Sequence, residues 1–330
     1  MRVERSVTSI SWIPSEAIPG TFKVPFLLGI GHYDPPPPDH IEDLTKLHDN
    51  ADMRYANQLR AFIEVDGYEI TDAGYTGGGL VSDTIATLGP KQVSFPPVVF
   101  PELQKDPEFG DGWVRFVQTV GARTGVPMPR KVSRPPYLQF VSPTTWTTLG
   151  LKIHADGTHE QEIVGASPFP RHWFYDDNGD VVEKSGVADY DSWAGENWGD
   201  NTPWGEHEQE LVTAQVETAL ERTLSKLIMQ GDARPKIRRI GTGETLTEQG
   251  EGGSDLYLVL DGMLTVEVDG EPVAEVGPGA ILGERAILEG GKRTSTLRAS
   301  TPGKVAVARP DQIDREALVE LAAGHRREEA

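Results

Sequence analysis

The chain contains no cysteine. Disulfides, thiolate zinc sites and cysteine nucleophiles are therefore excluded together. Long hydrophobic runs are missing as well, so no membrane-spanning helix is expected. The first residues, MRVERSVTSISW, carry charges without a continuous apolar stretch, and no secretory signal is expected. Basic residues are scarce: Lys and Arg number 31 against 51 Asp and Glu, a formal charge of −20. Without a local basic stripe, such a chain repels a phosphate backbone. These absences predict a soluble, cytoplasmic protein with no nucleic acid and no membrane among its partners. An anionic ligand would have to be held by a few placed donors, not by the general field.

Familiar catalytic signatures are missing too. Gly77-Gly78-Gly79 and Gly241-Thr242-Gly243 lack the strand–Gly-rich–helix context and the following Lys-Ser/Thr of a phosphate loop. No Gly-x-Ser-x-Gly elbow occurs. His32, Asp34, Asp39, His40 and His48 fit no metal spacing and read as surface polar residues. Asp176-Asp177-Asn178-Gly179-Asp180 has Val187 where an EF-hand needs its bidentate Glu, so it reads as a hairpin turn. His172 is the N-terminal histidine to test first for catalysis, although a packed histidine is the better explanation. No catalytic residue, metal or cofactor is assigned.

What is present is turn-rich and strand-rich. With 330 residues the chain is long enough for two domains, and its 36 Gly and 25 Pro favour short strands over long helices. Asp39 is an expected helix N-cap before Ile41, Leu44 and Leu47, and residues 49–60 suggest a second short helix. Hairpins follow at 62–70 around Asp66-Gly67, at 147–164 around Asp156-Gly157, and at 172–182 around Asn178-Gly179. Residues 1–205 therefore predict an antiparallel, mostly β domain with a few helices. Residues 176–206 hold Trp193, Trp198 and Trp204, and read as a packed irregular connection. Val212, Val216, Leu220, Leu224 and Leu227 recur at helical spacing, predicting a connecting helix over 206–230 closed by Gly231.

From residue 231 to 330 strands recur every eight to twelve residues: 237–240, 255–260, 264–268, 272–276, 295–299 and 305–308. That rhythm predicts a small barrel or sandwich. The interval 283–296 breaks it. Gly279 and Gly283 permit a sharp turn, and 284–288 can form one helical turn whose free N–H groups converge on an anion. Arg293, returning on the next strand, adds a two-pronged donor. Glu284 beside an anion makes sense once a sugar hydroxyl is attached to it.

Thr245-Leu246, Gln249-Gly250, Leu256 to Gly262, Gly277-Pro278-Gly279, Gly283-Glu284 and Lys292 to Thr296 together resemble the cyclic nucleotide-binding domain. The resemblance covers residues 234–322 and implies a β-roll of jelly-roll type that binds cAMP or cGMP. It implies that Glu284 binds ribose, that Gly283, Ala286 and Ile287 form the phosphate turn, and that Arg293 binds the phosphate. Thr294 and Ser295 would contact phosphate or base, and Val266 and Val273 would line the purine. Thr294 tilts faintly toward guanine. Arg285 departs from the family by replacing an apolar residue with a cation. The chain also departs from it after the last strand, where a single short helix over 311–323 is expected, leaving the base without its usual lid.

The resemblance implies a cyclic nucleotide-sensing regulatory protein whose N-terminal domain is an output or docking surface, with a homo-oligomer or protein partner allowed. Two alternatives stand beside it. One is an enzyme with a catalytic N-terminal domain gated by the nucleotide. The other is a scaffold whose ligand-free roll binds protein.

Overall fold

In the computed structural model the described residues are 1–14, 36–49, 53–88, 90–131, 135, 137–190, 192–193, 202–205, 211–230, 235–309 and 313–328. His32, Asp34, Trp198, Gly231, the start of the resemblance at 234 and residues 206–210 of the expected helix lie outside them. The chain is mainly β and divides into two compact units. The first comprises Met1–Glu183 and Ala188–Leu211, the second Lys184–Val187 and Val212–Ala330.

The first unit is built on two antiparallel sheets. One runs β8 (Val181–Ser185), β7 (Arg171–Tyr175), β1 (Arg2–Trp12), β2 (Tyr55–Asp66), β3 (Glu69–Tyr75), and Gly79–Val81 also pairs with β2. The other centres on β4 (Trp113–Arg123), β5 (Thr144–His154) and β6 (His159–Ala166). Strand β2 shows why they pack: Tyr55, Asn57, Leu59, Ala61, Ile63 and Val65 alternate inward and are buried. Leu59 and Ile63 join Val3, Val7, Val114, Phe116, Leu149, Leu151 and Ile153 in one apolar cluster.

A polar seam crosses this interior. Gln118 Nε2 donates to Asn57 Oδ1 at 2.8 Å, Asn57 Nδ2 donates to the Thr147 carbonyl at 2.9 Å, and Ser9 Oγ meets Thr147 Oγ1 at 2.7 Å. Every member finds partners, which is what lets such groups be buried.

The hairpins at Asp66-Gly67, Asp156-Gly157 and Asn178-Gly179 form as expected. At the last, Asp176 Oδ1 accepts from the amides of Asn178 and Asp180, both at 2.9 Å. Trp193 and Trp204 are tied down, their Nε1 groups donating to the Thr144 and Pro101 carbonyls. The expected helix over 49–60 is overturned. Tyr55–Asp66 is strand, because its apolar residues alternate with period two. Among the described residues here the helix is α1 (Leu44–Asp49), which starts after Asp43, whose Oδ1 accepts from the Thr45 and Lys46 amides.

The second unit is a β-roll of two four-stranded antiparallel sheets. One is ordered β9 (Lys236–Ile240), β16 (Gly303–Ala308), β11 (Leu256–Asp261), β14 (Ile281–Leu282). The other is β10 (Thr245–Thr247), β15 (Thr296–Ala299), β12 (Leu264–Val268), β13 (Glu271–Val276). Every residue of β11 is buried because both faces are covered. Tyr257 and Val259 face the roll interior with Leu246, Leu264, Val266 and Leu297. Leu256, Leu258 and Leu260 face α2 (Ala219–Gln230) and α4 (Arg315–Glu328) through Leu224, Ile228, Leu318 and Leu321. Between the strands sits α3 (Glu284–Leu288).

Two helix expectations are corrected here. The helix predicted over 206–230 begins only at Ala219, and Thr213–Gln215 is strand. A capping box sets the start. Thr218 Oγ1 accepts from the Glu221 amide at 3.2 Å, and Glu221 Oε2 accepts from the Thr218 amide at 2.9 Å. This helix packs on the roll as part of the second unit's core. The final helix also runs past the expected 323, to Glu328.

Ile228 is fully buried against Leu256, Leu258 and Ala306. Ile228→Ala should destabilise the second unit by about 2–4 kcal/mol, through lost transfer energy and a residual cavity. Urea denaturation with both units monitored should show only the second unit's transition shifting.

Candidate functional site

The second unit holds a cleft with a cavity volume of about 170 Å³. Val266, Ala274, Val276 and Leu297, from β12, β13 and β15, line its apolar side. Glu284, Arg285 and Ala286 of α3, with Arg293, Thr294 and Ser295, line its polar side. Glu221 of α2 and His325 of α4 also reach into it.

Arg293 is 6% exposed. Its Nη1 donates to the Asp255 carbonyl at 2.9 Å, its Nη2 to Tyr257 Oη at 3.4 Å, and its guanidinium carbon lies 5.1 Å from the centre of the Tyr257 ring. All of these partners are neutral. Among the described residues no carboxylate pairs with it. Two glycines make its place. A Cβ at Gly283, where φ is +95°, would lie 2.6 Å from Nη1, and a Cβ at Gly253 would lie 2.7 Å from Nε and Nη2. Main-chain bonds fix the base of the side chain: the Arg293 amide donates to the Glu251 carbonyl, and the Gly250 amide to the Arg293 carbonyl.

Glu284 is 4% exposed, and its Oε1 accepts from His325 Nδ1 at 3.0 Å. The other ring nitrogen, Nε2, lies 3.7 Å from Glu221 Oε1. Burial opposes a charge on this imidazole, but Glu221 and Glu284 outweigh it, and its pKa is pushed up to about 10. The ring is an imidazolium at neutral pH, with both N–H groups aimed at carboxylates. Glu221 has the mirror-image balance. Burial works to raise its pKa, while His325 and the amides of Thr218 and Ile281 bring it below the ordinary value. On the same side of the cleft Glu217 is ion-paired with the buried Lys184.

Of the residues expected from the sequence, Gly283, Glu284, Arg285, Ala286, Arg293, Thr294, Ser295 and Val266 come together around this cleft. Ile287 and Val273 do not line it. Successive residues of a helical turn point to different sides, and Ile287 turns into the apolar cluster beneath α2 and α4. The β12–β13 register sets Val266 opposite Ala274, so Ala274 lines the cleft and Val273, one residue away, is 45% exposed on the other face. From α4, His325 reaches into the cleft beside Glu284.

Sequence reasoning missed Glu221 and His325. The Thr218-x-x-Glu221 box was legible as a helix start, but nothing in the pattern around His325 points to a pocket. His172 is fully buried in the first unit, where its Nδ1 meets Ser11 Oγ at 2.6 Å and its Nε2 meets the Ser167 carbonyl at 2.8 Å. Burial lowers its pKa to about 4. It is a packed neutral histidine. His40 pairs with Asp180 and His48 with Asp49 at the surface. Among the described residues no group of three or more metal-ligating side chains assembles, and no helix is long and apolar enough to cross a membrane.

Residues 237–318 match the family model described as the cyclic nucleotide-binding domain. Over 63 residues the chain is 36% identical to a cGMP-dependent protein kinase of Plasmodium berghei, covering 19% of this chain and 7% of the kinase. Over 68 residues it is 34% identical to a cyclic nucleotide-gated potassium channel of Rhizobium etli, covering 21% of this chain and 18% of the channel. The chain thus spans only a small part of either relative. A solved cyclic nucleotide-binding domain from Methylobacillus flagellatus is 30% identical, with 28% of this chain and 52% of that one covered and a TM-score of 0.22.

The His325 cluster makes stability depend on pH. His325 has a folded pKa raised above its ordinary 6.5. Its contribution is therefore complete below about 6.5 and is lost as pH rises through about 10. Glu221 is depressed below 4.5, so its share is present above that value and lost in acid. Thermal melts from pH 5 to 10.5 should show the wild type losing stability across the alkaline limb, with a flatter limb in His325→Gln.

Proposed function

We propose, from a chain whose residues 237–318 form a cyclic nucleotide-binding domain, that the protein senses cAMP or cGMP and that the unit formed by the first 183 residues with Ala188–Leu211 is its output or docking surface. The observation that carries the reading is the buried guanidinium of Arg293, whose partners among the described residues are a carbonyl, a phenol and a ring. Taking a cation out of water is costly unless an anion or several hydrogen bonds compensate it. A guanidinium prepared this way at a cleft wall suits a phosphate diester, which carries one negative charge and oxygens spaced for a two-pronged donor.

The rest of the cleft fits the other parts of such a ligand. Glu284, within the same cleft, is an acceptor for a ribose hydroxyl. Ala286 and Gly283 belong to the turn beside the phosphate. Val266, Ala274 and Leu297 offer a flat apolar wall to a purine, and Thr294 and Ser295 offer hydroxyls at the junction of phosphate and base. Arg285 adds a second cation. The two relatives named above carry cyclic nucleotides in their names, which supports the ligand class. Their matched shares are too small to carry kinase or channel activity over.

Calorimetry with cAMP and with cGMP tests the assignment. Arg293→Ala should weaken binding by about 2–3 kcal/mol, on the order of a hundredfold, for the loss of a charge-assisted phosphate contact. Equal affinity of variant and wild type would remove Arg293 from the site.

A further inference from the structure

We propose that His325 is a latch on this cleft: the last turn of α4 holds its imidazole on Glu284, and a nucleotide engages Glu284 only after that turn lets go. The inference rests on the cyclic-nucleotide reading and adds a regulatory step to it. Glu284 is the acid assigned to the ribose, and its Oε1 already accepts from His325 Nδ1 at 3.0 Å. A ribose hydroxyl seeking the same carboxylate competes with that bond.

Structural anchoring alone does not account for the arrangement. Leu318, Leu321 and Ala322 are buried and already hold α4 on the roll. His325 lies beyond them, and its recorded partners are the two acids Glu284 and Glu221, both of which line the cleft. Glu221 is itself fixed by the Thr218 amide and hydroxyl and by the Ile281 amide. One acid is thus a fixed post belonging to α2. The other belongs to α3, the element that must meet the ligand. A histidine bridging them ties α2, α3 and α4 into one closed arrangement that the nucleotide has to open. A ligand binding only the open form pays for the closed population in apparent affinity, and a weakened latch returns that loss.

The test compares wild type with His325→Gln and His325→Ala by calorimetry with cAMP and cGMP at neutral pH, and follows hydrogen exchange of residues 322–328 in the wild type. If the open form is about a tenth of the free population, the variants bind about tenfold tighter. Exchange in the last turn of α4 rises when the wild type is saturated with nucleotide. Binding by the variants alone also supports the latch. Variants that bind no tighter, or a last turn that becomes more protected with nucleotide, overturn it while leaving the ligand assignment intact. Failure of all three proteins to bind either nucleotide overturns the assignment itself and the latch with it. The exchange measurement needs no variant, so a folding defect in either substitution leaves the proposal testable.

Discussion

A guanidinium that has given up its water sets the terms for the second unit. Arg293 is nearly enclosed, and what compensates it inside the protein is modest: one carbonyl, one phenol and the face of Tyr257. Such contacts hold the side chain in place without neutralising it. The position exists only because Gly253 and Gly283 lack side chains, each leaving room for atoms that a Cβ would meet well inside van der Waals distance. Gly283 does a second job, since its left-handed backbone turns the chain from β14 into α3. The same residue therefore shapes the seat of the arginine and aims the turn beside it.

Strand β11 joins this site to the rest of the unit. Its alternate residues face opposite ways, Tyr257 into the roll and Leu256 and Leu258 onto the helices. The strand that presents Tyr257 to Arg293 is thus also the floor on which α2 and α4 pack. That shared floor is why Glu221 and His325, from helices at the two ends of the unit's sequence, arrive together at Glu284. Packing of apolar side chains here positions charges.

The roll was legible because its signals are local and repeated. Strands 264–268 and 272–276 follow from alternation and glycine turns, and Gly283-Glu284 and Arg293 from the break in that rhythm. Strands β10 and β14 escaped because three and two residues carry no readable period. Val273 was misplaced because the irregular β12–β13 register, which sets Ala274 against Val266, is a pairing between strands and is invisible in either strand alone. The helix expected over 206–230 overextends because Val212 and Val216 continue the spacing of Leu220 and Leu224, while the capping box at Thr218 sets the true start. His325 lay beyond inference for a different reason. Its role depends on two acids 41 and 104 positions earlier in the chain, brought close only by tertiary packing.

Charge accounting explains how so acidic a chain can still present a site for an anion. Glu217, Glu221, Glu275 and Glu284 all line the cleft, and unscreened they would repel a phosphate at short range. The fold answers them individually. Glu217 has Lys184, Glu221 and Glu284 share His325, and Glu275 accepts from Ser300 Oγ at 3.4 Å. Arg293 is left out of these pairings and retains its positive field. In the closed, latched arrangement the imidazolium also quiets two carboxylates at once. Local pairing, not net charge, decides the sign of the potential that a small ligand meets.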